Sequence, residues 1–204
     1  MTLQKTSLVL LCFYSVHPFR SYISTFTTLA DAEWSAVENC IVRNEYQTGT
    51  VLLTAGEVCK KLYFLESGLL RFFIFNDGVD KSKFFTQAPY CLTSQKSFTE
   101  EIPAKENIEV LEGSIVWEMS KSDAFSLLNI PSWSEFVRKL IQEVQFNTEQ
   151  ILESLQNETA EERYIHMLES ADPLLSRVPL KHIASFLGIA PQSLSRIRKK
   201  MILN

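Results

Sequence analysis

The residues best placed to do chemistry lie near one end of the chain. From Pro179 to Lys200 it reads PLKHIASFLGIAPQSLSRIRKK. An arginine can fork onto guanine O6 and N7, and a glutamine onto adenine N6 and N7. Hydroxyls and lysines reach phosphates. Gln192, Ser193 and Arg196 are therefore expected to meet base edges, and Ser195, Arg198 and Lys199 to hold the backbone. Pro191 stands with them in the first turn of their helix.

The spacing around these residues predicts how they are held. A helix starting at Pro179 places Ile183, Ala184 and Leu187 on its inner face. Gly188 follows at once and can supply the positive φ of a tight turn. Ile189 fills the angle, and Leu194 and Ile197 face inward on a second helix. This is a helix-turn-helix whose second helix carries bases and amides.

Charge supports a polyanion partner. The stretch 173–204 holds six basic residues (Arg177, Lys181, Arg196, Arg198, Lys199, Lys200) and no acidic one. The chain's net charge is −4, so the rest carries −10. A basic end on an acidic body points to a localised polyanion-binding surface, the alternative being a solvated helix face with a chance charge bias.

Other chemistries find less support. Cys12, Cys40, Cys59 and Cys91 are too scattered for zinc or iron–sulfur ligation. His17, His166 and His182 all lie outside the glycine-punctuated stretch, so a metal-dependent roll enzyme of cupin type lacks its ligands. No phosphate loop, nucleophile elbow or His-Glu-x-x-His sequence occurs. The chain is not expected to be an enzyme, and neither a metal nor a cofactor is expected. Lys5 and the apolar run from Leu8 to Val16 look like a short signal-peptide core, but the run is too short to span a bilayer. No small-x-small cleavage site follows. A cytoplasmic protein without membrane contact is expected.

The remaining chain must position the helix-turn-helix. Ser21 to about Ile41 is helical in pattern, with Asp31 or a neighbouring threonine as a cap for Trp34, Val37 and Ile41. Five of the six glycines then lie between Gly49 and Gly113. They punctuate short strand-like runs at 50–54, 61–65, 69–75, 83–85, 108–112 and 115–119, with an Asp77-Gly78 hairpin signal. Ser122 or Asp123 would cap a short helix, and Pro131 opens a long one. Along the long helix Phe136, Leu140, Val144, Asn147, Ile151 and Leu155 recur at spacings of 3 or 4. That stripe could pack on the same chain, or pair with a second copy as a coiled coil in which Asn147 sets register. The pairing is the favoured expectation, because two recognition helices one duplex turn apart give specificity that one does not. A further helix, 160–170, ends at Asp172-Pro173.

This order resembles the Crp/Fnr family of bacterial regulators over about Phe19 to Lys200. The resemblance rests on GTVLLTAGE at Gly49–Glu57, YFLESGLLR at Tyr63–Arg71 and IASFLGIAPQSLSRIRKK at Ile183–Lys200. It implies an α+β chain with an N-terminal antiparallel β-roll of jelly-roll (double-stranded β-helix) type. A long dimerisation helix and a C-terminal all-α helix-turn-helix follow, winged-helix-like with the wing short or absent. The implied units are an extension at 1–20, a cyclic-nucleotide-binding-like effector domain at 21–130, the dimerisation helix at 131–157 and the DNA-binding domain at 158–204. The implied function is sequence-specific, dimeric transcription regulation on double-stranded DNA, with RNA polymerase as a further partner. A small effector in the roll is one implied control.

The family's nucleotide pocket uses a Gly-Glu pair, then an arginine before serine or threonine. Here the corresponding stretch reads YCLTSQKSFTEEIPAKEN, and no arginine lies between Arg71 and Arg138. A buried phosphate without a fork-shaped donor would be poorly paired. Cyclic-nucleotide binding is therefore not carried over. Thr93, Ser94, Ser97 and Lys105 are the candidate lining for another ligand, or else surface turn residues with no such role. A regulator with a vestigial pocket and no ligand stands as the alternative.

Overall fold

A computed structural model describes residues 16–169 and 174–202. The apolar run expected to resemble a leader lies almost wholly outside those residues, as do Cys12 within it and the expected stop at Asp172-Pro173.

Asp77 and Gly78 take φ of 51° and 76°, the two positive values of a type I′ turn. They join the longest strand, β3 (Lys61–Asn76), to β4 (Val79–Gln87). The remaining strands are β1 (Ile41–Tyr46), β2 (Val51–Leu53), β5 (Tyr90–Leu92) and β6 (Asn107–Ser120). All pairings are antiparallel, in the order β1-β6-β3-β4, with β2 on β6 and β5 on β3. The runs expected at 61–65 and 69–75 are one strand, bent by register shifts between Leu65 and Leu70. Gly68 sits in that bend at φ 109°, and a Cβ there would fall 2.8 Å from the Ser114 Cα. A glycine is required for the two strands to cross this closely.

Two short helices precede the roll: α1 (Pro18–Ser24) and α2 (Asp31–Glu38). The cap of α2 is Ala30, not Asp31 or a threonine, and the Glu33 side chain accepts from the Ala30 N–H at 2.8 Å. The segment expected to stay helical to Ile41 turns into β1 instead. A one-turn helix that periodicity did not reveal, α3 (Gln95–Glu100), follows β5. Ser120 caps α4 (Lys121–Ser126), accepting from the Asp123 N–H at 3.1 Å. A 3₁₀ turn leads to Pro131, the first residue of α5 (Pro131–Asn157).

The roll's core closes on α1 and the start of α5. Phe19 stacks on Phe64 at 4.6 Å, and Trp133 and Phe136 are fully buried beside them. The α5 stripe therefore divides. Phe136 and Leu140, expected to meet a second copy, are buried in their own chain at 0% and 9% exposure. Roll packing takes the first three turns of the helix because the aromatic core needs a lid there. Ile151 and Leu155 remain exposed, with Ile141 and Leu152 beside them. Asn147 turns toward a cleft lined also by Ser82, Lys83, Arg163 and Phe186.

Four helices complete the described chain: α6 (Ala160–Glu169), α7 (Leu174–Arg177), α8 (Leu180–Leu187) and α9 (Pro191–Ile202). No helix among the described residues is long and apolar enough to cross a membrane.

Candidate nucleic-acid interface and the expected effector pocket

The helix-turn-helix is α8, a turn and α9. Gly188 ends α8 in the left-handed region at φ 73°, ψ 23°, and its N–H bonds the Ser185 carbonyl at 3.1 Å. An L side chain would strain that backbone. Arg163 of α6 reaches the last carbonyl of α8, Leu187 O, at 2.8 Å and so holds the turn. Ile183, Ala184, Leu187 and Leu194 are buried together, with Ile189 and Ile197 against them.

The opposite side of α9 is open. Gln192, Ser195, Arg196 and Lys199 are all exposed, and their spacing of 3, 4 and 7 puts them on one helix face. Arg198 is exposed on one flank, while Ser193 is half-buried on the other. Ser195, expected at the backbone, thus lies on the central line, and Ser193, expected at base edges, lies off it. The Ser195 hydroxyl donates to the Pro191 carbonyl at 3.0 Å. Lys200 pairs with Glu161 at 2.7 Å. Arg196, Arg198 and Lys199 make no ion pair among the described residues, so three cations face outward uncompensated.

The hydroxyls expected to line an effector pocket are already bonded within the roll. Thr93 Oγ1 donates to the Lys61 carbonyl at 2.9 Å. Ser94 Oγ donates to Glu106 at 2.7 Å. Ser97 Oγ accepts from the Cys59 N–H at 2.8 Å and donates to the Ile102 carbonyl at 2.6 Å. Ser94 and Ser97 are buried, which also corrects their reading as surface turn residues. Lys105 points to solvent. These contacts brace α3 against the roll. Ala104, not a donor, takes the buried position beside Lys105. The one arginine buried in the roll, Arg71, is fully engaged elsewhere. None of the four candidate lining residues is an arginine that could fork onto a phosphate. Among the described residues no group of His, Cys, Asp and Glu could hold a metal ion.

Arg71 belongs to a junction that sequence reasoning missed. It bonds Asp80 in a fork at 2.7 and 2.9 Å, Glu109 at 2.6 and 3.0 Å, and Ser82 at 3.2 Å. Its Nη1 also lies 2.6 Å from His182 Nδ1 on α8. Ser185 of α8 accepts from the Ser82 N–H and donates to the Asp80 carbonyl, both at 3.0 Å, on the edge strand β4. Arg177 pairs with Glu112 and donates to the Gly68 carbonyl at 3.1 Å. The signal was a lone arginine in the apolar run LLRFFIF, since a buried guanidinium must find partners.

Comparison with known proteins fits this geometry. Residues 43–130 match the Cyclic nucleotide-binding domain family. No curated protein sequence matches the chain. Among solved structures, the c-di-GMP responsive global regulator CLP of Xanthomonas campestris aligns with a TM-score of 0.70 at 14% identity, over 85% of this chain and 92% of that one. FixK2 of Bradyrhizobium japonicum aligns at 0.67 and 16%, over 80% and 85%. A putative Crp/Fnr family regulator of Eubacterium rectale aligns at 0.67 and 14%, over 86% and 84%. At these identities the likeness establishes the shared fold.

Proposed function

The chain carries a cyclic nucleotide-binding-type roll in a fold shared with Crp/Fnr family regulators, and from that premise we propose that it is a sequence-specific, non-enzymatic transcription regulator acting on double-stranded DNA. The observation that carries this reading is the exposed face of α9, where Gln192, Ser195, Arg196 and Lys199 align with no acidic partner among the described residues. Laid in a major groove, Arg196 and Gln192 reach base edges with Ser195 on the same line, while Lys199 and Arg198 contact phosphates. Pro191 and Ser193 sit at the groove-facing end of the helix.

The regulator acts as a homodimer through the free half of α5. Ile141, Val144, Thr148, Ile151 and Leu155 recur at alternating spacings of 3 and 4, the heptad seam of a coiled coil. Two α9 helices then read half-sites about one helical turn apart. The same reading places the protein in the cytoplasm, with RNA polymerase as a further partner.

The test is binding to fragments of the organism's genome over a salt series. Phosphate contacts require log K to fall linearly with log salt. Affinity independent of salt would remove the DNA reading.

A second reading concerns control. The engaged hydroxyls of Thr93, Ser94 and Ser97 favour a regulator whose roll binds no cyclic nucleotide. Thermal-shift measurements with cyclic nucleotides check it, because a ligand specific to the folded state raises the melting temperature. A large shift would overturn the second reading and leave the DNA reading intact.

A further inference from the structure

Among the described residues only two side chains of the strongly basic or imidazole type are buried, Arg71 and His182. They touch each other across the junction between the roll and the helix-turn-helix, at 2.6 Å. Arginine stays protonated and only donates. The His182 Nδ1 must therefore offer its lone pair, which requires a neutral ring with its proton on Nε2. A protonated ring would turn an N–H toward the guanidinium, setting two donors and two like charges against each other.

The surroundings do not rescue the charged ring. Arg71 of β3 and Lys181 of α8 oppose it, while Asp80 of β4 and Glu109 of β6 favour it. Both carboxylates are committed to Arg71. Burial is the leading cause that holds the imidazole below its ordinary value of 6.5, and Arg71 adds to it.

We infer that this junction is a pH-sensitive latch: the helix-turn-helix is docked on the roll while His182 is neutral and is released when His182 takes a proton. Around it the junction combines apolar packing of Leu69, Phe85 and Leu111 against the helix-turn-helix with polar contacts that hold its register. Ser185 makes two hydrogen bonds to the edge of β4, and Arg177 anchors α7 to Gly68 and Glu112. The direction of the effect follows from linkage. The released form binds the proton more tightly, so docking is fully present above about pH 6.5 and is lost as pH falls toward the lowered value. The docking equilibrium falls by up to about tenfold per pH unit in that window. The latch rests on the junction's geometry and is independent of what α9 binds.

Amide exchange of the full chain tests it, between pH 8 and 5 and corrected for intrinsic rates. The Ser82 N–H is a direct reporter, because its bond to Ser185 exists only when α8 is docked. Protection at Ser82 and along α8 should fall with acid in the natural chain, while the roll's central strands keep theirs. In H182Q, which keeps an uncharged acceptor, protection should be flat across the range. Should that variant fail to fold, an NMR titration of the His182 ring in the natural chain takes its place, and its midpoint should coincide with the loss at Ser82. Protection that ignores pH, an H182Q response equal to that of the natural chain, or two separate midpoints would each overturn the latch.

Discussion

The two cores of this molecule differ in kind. Among the described residues, the roll buries 25 in one cluster, built on aromatics from α1, β3 and α5. The helix-turn-helix cluster buries seven of the described residues, and one of those, Leu69, belongs to β3. Phe85 and Leu111 of the roll pack against the same cluster. A unit of about 45 residues buries too little surface to be robust alone. Here it completes its core with the roll's outer face. The part that presents α9 is therefore the part whose position depends on another domain, and any change in the roll's outer face reaches it.

The largest expected effect lies inside the roll. Trp133→Ala should lower global stability by about 3–5 kcal/mol, read by denaturant unfolding. A loss well under that range would mean the aromatic lid is not what closes the roll. Leu69→Ala comes next, at about 2–5 kcal/mol. Its signature is location: amide exchange should rise along α8 and α9 more than in β6. Equal loosening of both regions would erase the distinction between the cores.

Arg196→Ala should leave unfolding unchanged and lower sequence preference by about 1–3 kcal/mol at one base pair. Competition among altered DNA sites checks this, and unchanged preference would take Arg196 off the base-reading face. The smallest effect is electrostatic. The Arg177 hydrogen bond holds the Glu112 carboxyl below its ordinary value of 4.5. Its contribution is therefore present above about pH 4.5 and fades as pH falls through the lowered value. The stabilities of the natural chain and E112Q should converge in acid; a constant gap would mean the pair contributes through packing alone.

Much of the scaffold was legible locally. Asp77-Gly78 announced its hairpin, Pro131 the start of α5, and Gly188 the turn before α9, because each depends on backbone dihedrals that one or two residues set. The outward residues of α9 were legible for a similar reason, since helical spacing assigns faces without reference to distant contacts. Boundaries between elements were less so. Cys40 and Ile41 continue an apolar helical pattern, yet β1 begins at Ile41 because β6 offers it a ladder. The short α3 has too few residues for periodicity to register.

By itself, then, the sequence determined a run of short strands joined by tight turns, a long amphipathic helix, and a helix-turn-helix with a basic outer face. Spacing and turn residues act within a few positions of the chain, so those features follow without tertiary knowledge. Only the tertiary structure decided which half of the α5 stripe stays free. It also decided that Thr93, Ser94 and Ser97 brace the roll from within, and that Arg71 meets His182 more than a hundred residues away. Such contacts depend on which surfaces meet, and apolar periodicity is the same whether a face packs on its own chain or on another.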